Sequence, residues 1–109
     1  MEAVLRNTLL YDFYGDLLTQ KQRDIYHMYF CEDMSLAEIG SRCGISRQAV
    51  NFSLKQTQKN FDAFEGALKL VERYAATRQH IADLRCAIES KDYSECTKIL
   101  SVLDDMTVR

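Results

Sequence analysis

At 109 residues, with 47% hydrophobic and 28% charged side chains, the chain is long enough to bury one core and too apolar for disorder. It has no proline and only four glycines, so few residues oppose helix and an all-α fold is expected. A net charge of −2 argues against a protein that holds nucleic acid through overall charge, and no apolar run is long enough to span a membrane.

Residues 3–18 carry Val4, Leu5, Leu9, Leu10, Phe13, Tyr14, Leu17 and Leu18 at steps of three and four. That spacing predicts an amphipathic helix. The aromatic residues and aspartates in this stretch stand where a secretory signal would need an apolar run, so a cytoplasmic location is expected. Thr19 with Gln22 three residues on is a capping-box signature that opens a second helix, with Ile25, Met28 and Tyr29 directed inward and Tyr26 a secondary candidate for that face. Residues 31–34 form a polar break.

Ser35 with Glu38 is a second capping box. Leu36 and Ile39 share a face, and Gly44 suits the left-handed conformation that ends a helix. Ile45 plugs the gap, and Ser46 caps the next helix. Two short helices, a small residue (Gly40) where they would cross and a glycine in the turn meet the requirements of a helix-turn-helix. Residues 35–59 hold Arg42, Arg47, Lys55 and Lys59 against Glu38 alone, whereas residues 1–34 and 60–109 lean acidic.

In the second helix of this motif Val50 and Leu54 face the core. Arg47, Gln48, Asn51 and Lys55 lie on other faces. Arg47 matches the acceptors of guanine, and Gln48 or Asn51 the edge of adenine. Ser46, Arg42, Lys55 and Lys59 suit phosphates, which position a protein without reading sequence. Phe52 points away from the Val50–Leu54 face and is expected to pack on a neighbouring helix, with an exposed partner contact as the alternative.

From Phe61 the apolar steps continue through Phe64, Leu68, Val71 and Ala75 to Ile81, Leu84 and Ile88, predicting a long helix over 60–89 with an interruption near Gly66. Such a seam needs a cover. A homodimer is expected to supply it, with residues 1–18 or 92–106 as alternatives. Asp92 with Glu95 opens a final helix carrying Ile99, Leu100, Val102, Leu103 and Met106.

Cys31, Cys43, Cys86 and Cys96 lack metal or redox spacing and are read as reduced packing residues; no metal or cofactor is expected. No carboxylate pair, nucleophile elbow or glycine-rich phosphate loop is placed for catalysis, and His27, set among aromatic residues, suits packing. A non-enzymatic protein is expected.

The run LYDFYGDLLTQKQRDIYHMYFCEDMSLAEIGSRCGISRQAV resembles the YlxM family of small bacterial helix-turn-helix proteins over roughly residues 9–60. The matching pieces are Leu17-Leu18-Thr19, Lys21-Gln22, Asp33-Met34-Ser35-Leu36-Ala37-Glu38-Ile39 and Ser46-Arg47-Gln48-Ala49-Val50. The helix-turn-helix is also similar to the fourth conserved region of bacterial sigma factors. This resemblance implies an all-helical DNA-binding regulator in or near the signal recognition particle pathway. It equally suits a protein-interaction module contacting that particle's components, a sigma factor or RNA polymerase; the particle's RNA is a third option.

The expected architecture is therefore a sigma-region-like three-helix core without a wing, followed by a long helix and a short helical hairpin. Residues 1–59 would form the N-terminal helix and helix-turn-helix core. Residues 60–109 would serve dimerisation or packing within the same structural domain.

Overall fold

The computed structural model describes residues 2–107 and contains six α-helices among them. They are α1 (Ala3–Tyr14), α2 (Gln20–Phe30), α3 (Leu36–Cys43), α4 (Arg47–Leu68), α5 (Leu70–Glu89) and α6 (Tyr93–Thr107). A short 3-10 turn, Gly15–Leu17, follows α1. The described chain divides into two compact units after Val71. The division falls within α5, and residues 59 and 60 both lie in α4.

Side-chain caps set the helix starts. In both the Thr19–Gln22 and the Ser35–Glu38 boxes each partner bonds the other's backbone N–H. This satisfies amide groups that a helix leaves free at its start. The backbone N–H of Glu95 donates to Asp92 Oδ1 at 3.1 Å, as its spacing predicts.

The first unit has two adjoining cores. One joins Leu9, Leu10, Tyr14 and Leu18 to Tyr26, Phe61 and Val71. The other joins Ile25, Ile39 and Val50, with Leu54 bordering both. Tyr26 ties α1, α2 and α4 together: its ring stacks on Tyr11 at 5.3 Å and meets Phe61 edge-on at 5.2 Å. Each such ring contributes on the order of 1.5–3 kcal/mol by burial. Tyr26 is buried and Tyr29 is exposed, so α2 is rotated from the expected inward set. The deep aromatic position faces the cluster formed with Phe61. Val4, Leu5, Phe13 and Leu17 are also exposed; α1 buries Leu9, Leu10 and Tyr14.

The expected 60–89 helix is two helices. The break lies at Lys69, whose φ of 55° is left-handed, and Gly66 stays inside α4. Two side chains stabilise the break. Glu65 Oε1 accepts from the Val71 N–H at 2.9 Å, and Tyr14 Oη accepts from the Leu70 N–H at 3.1 Å. Amides at the start of α5 thereby find acceptors that a continuous helix would have supplied. Phe61, Phe64 and Val71 pack against residues of α1. An intrachain element thus covers this part of the seam, and Leu68 faces outward.

The second unit contains most of α5 and all of α6. Its core is thin, built on Ala87, Cys96 and Ile99 with Leu84 and Leu103 packed against them. The four cysteines are free thiols. No helix of the described residues is long and apolar enough to cross a membrane.

Candidate nucleic-acid interface

The site is built on the turn between α3 and α4. Gly40 lies where the backbone after the turn passes over α3. A Cβ there would stand 2.8 Å from the Ile45 carbonyl oxygen, closer than such contacts permit, so the crossing requires glycine. Gly44 takes φ 69° and ψ 32° as the cap of α3, and its N–H bonds the Gly40 carbonyl. The Ile45 N–H donates to the same carbonyl at 3.0 Å. This is the left-handed closure that ends a helix and reverses the chain. Ser46 then starts α4, its Oγ accepting from the Ala49 N–H at 3.0 Å.

Ile25, Ile39 and Val50 hold α2, α3 and α4 in this arrangement. With the buried stripe Val50, Thr57 and Phe61 fixed inward, the helical repeat puts Gln48, Phe52, Lys55 and Lys59 on the opposite side. Their steps of four, three and four form one outward stripe. All four are exposed, as are Arg47 and Asn51 on its flank and Ser46 at its head. Leu36, Arg47, Gln48 and Asn51 line a shallow groove of about 260 Å³ at the start of α4. Leu36, expected only as a core residue, thus borders the site.

Electrostatically the stripe is available. Arg47, Lys55 and Lys59 form no ion pair among the described residues. Arg42 differs: its guanidinium lies 3.9 Å from the Glu32 carboxylate, both well exposed. An exposed pair of that length is worth little and yields readily to a phosphate. Ser46 already spends its hydroxyl as a cap, which leaves its oxygen committed to the helix start.

The expected packing of Phe52 is overturned. The ring is 69% exposed, because it falls in the outward stripe while α1 and α2 approach α4 on its opposite, buried side. His27 is exposed and shares a cavity of about 220 Å³ with Tyr11, Tyr26, Phe30 and Cys31.

Comparison with known proteins supports the motif. The family model UPF0122, described as "Putative helix-turn-helix protein, YlxM / p13 like", matches residues 1–101. A UPF0122 protein of Shouchella clausii is 35% identical over 107 residues, spanning 97% of this chain and 98% of the relative. One from Thermoanaerobacter sp. (strain X514) is 39% identical over 100 residues, spanning 91% of this chain and 86% of the relative. One from Symbiobacterium thermophilum is 35% identical over 103 residues, spanning 94% and 96%.

Proposed function

The chain belongs to the UPF0122 family of YlxM/p13-like helix-turn-helix proteins, and on that premise we propose that it is a DNA-binding regulatory protein. The observation that carries the reading is the unpaired, outward stripe at the start of a helix whose turn geometry is fixed by Gly40 and Gly44. In this reading α4 enters a major groove by its N-terminal turns. Arg47 pairs with guanine and Gln48 or Asn51 with adenine. Lys55, Lys59, Arg42 and the Ser46 backbone hold phosphates. A cytoplasmic regulator acting in or near the signal recognition particle pathway is part of the same proposal. It rests on the YlxM resemblance.

A mobility-shift assay tests it, using a random-sequence duplex and genomic fragments at several salt concentrations. Affinity should fall steeply with salt, and Lys55→Ala should lower the slope by about one. Arg47→Ala should weaken binding and relax the base preference. Absence of any shift at low salt sinks the reading.

We also propose that the protein works as a homodimer, since paired half-sites suit two-fold assemblies. With Phe61, Phe64 and Val71 already packed against α1 residues, the pairing surface falls to the thin-cored second unit, which exposes Ile88, Tyr93 and Leu100. A monomer mass by sedimentation at tens of micromolar would remove this element.

One observation favours a protein partner as a second reading. The cavity beside Tyr11, Tyr26 and Phe30 is lined largely by apolar surface, a feature that suits an inserted side chain better than a phosphate. Signal recognition particle components, a sigma factor and RNA polymerase are the partners to assay. Binding by one of them without any DNA shift would favour this reading over the first.

A further inference from the structure

Phe52 is the anomaly of the outward stripe. Its neighbours there are Gln48 one turn before, and Lys55 and Lys59 one and two turns after, with Asn51 beside it. All of these bear hydrogen-bonding or cationic groups. A phenyl ring that is 69% exposed among them gains little from folding, and no aromatic partner is near it among the described residues. It stands five residues after the first residue of α4, about 7.5 Å along the axis at the helical rise. That is within the N-terminal turns that reach base edges in a helix-turn-helix.

The floor of the major groove offers donors and acceptors at every base pair but only one apolar group, the C5-methyl of thymine. Basic flanks at Arg47, Lys55 and Lys59 provide the charge complement to the surrounding phosphates. We propose that Phe52 is a specificity-determining residue that packs on a thymine methyl, so that the bound site carries a T·A pair at a fixed offset from the bases met by Gln48 and Asn51. The inference rests on the DNA-binding reading above and assigns one base of its target.

Uracil differs from thymine only by that methyl, which supplies the test. A duplex pool with a randomised core is selected with the wild-type protein, and the enriched duplex is then remade with deoxyuridine replacing each thymine in turn. One replacement should weaken wild-type binding about fourfold, the effect of burying one methyl-sized group. Phe52→Ala, which alters only an exposed side chain, should bind the thymine and uracil duplexes equally. Phe52→Leu should retain part of the ratio. Arg47→Ala should bind more weakly yet keep the ratio.

Wild-type binding that is indifferent to every replacement overturns the assignment and leaves DNA binding intact. A thymine ratio that persists in Phe52→Ala does the same. Failure of the wild type to enrich or shift any duplex at low salt overturns the DNA-binding reading itself, and this assignment with it.

Discussion

Tyr14 Oη donates a 2.7 Å hydrogen bond to Glu65 Oε1 across 51 residues of chain. Both side chains are buried. The pair closes a small circuit: the phenol accepts from the Leu70 N–H, and the carboxyl accepts from the Val71 N–H. One tyrosine in α1 therefore fixes where α4 ends and how α5 begins. Burial, and then the bond to Glu65, hold the Tyr14 phenol above its ordinary pKa, which keeps the donor proton in place.

Removing that phenol tests the circuit. Tyr14→Phe leaves the Glu65 carboxyl short of a donor and the Leu70 N–H without its acceptor, and should cost about 2–3 kcal/mol. Both donors meet the same oxygen, Glu65 Oε1, so Glu65→Gln keeps a neutral acceptor for both and should cost less, about 1 kcal/mol. Urea unfolding followed by circular dichroism measures both. A Tyr14→Phe loss below about 0.5 kcal/mol would show that the joint is held by packing alone.

The helix-turn-helix crossing should be intolerant of a single methyl. Gly40→Ala drives a Cβ into the Ile45 carbonyl and should destabilise by about 1–3 kcal/mol, weakening DNA binding with it. Gly44→Ala meets no atom within 4 Å and is penalised only by its left-handed backbone, about 1 kcal/mol. Thermal unfolding of the two variants should rank them in that order; the reverse order would mean the crossing relaxes easily.

Gly66 offers the opposite sign. It lies in the last turn of α4, exposed, with open space where a Cβ would go. Gly66→Ala should stabilise the protein by about 0.5 kcal/mol, mainly through a less flexible unfolded chain. An unchanged or lower unfolding midpoint would indicate that α4 needs to flex there.

Alkaline unfolding should report Tyr26. Burial first, then the nearby Cys31 and Tyr11, push its phenol up to about 12 from an unfolded value near 10. Above pH 10 the unfolded chain releases this proton while the folded chain retains it. Folding stability supplied by the neutral ring is thus complete below pH 10 and is lost as pH rises toward about 12. Urea midpoints across that window should fall, and fall less in Tyr26→Phe. An equal decline in both proteins would assign the effect to other groups.

Much of this protein is settled by local rules. The two capping boxes, the Ser46 cap, Gly40 and Gly44 act through neighbours within a few residues, so sequence order alone carries them. The outward placement of Arg47, Gln48, Asn51 and Lys55 follows from the helical repeat once Val50 is known to be inside. What needed the tertiary structure were choices among equally apolar positions. Phe52, Tyr29 and Leu68 read as core residues and Tyr26 as a doubtful one, yet only Tyr26 is buried, because burial depends on which side the neighbouring helices approach. The α4–α5 break at Lys69 has no local signal, since it depends on Tyr14 and Glu65, brought together over 51 residues. Periodicity says that a face is apolar; only packing says which part of it is covered.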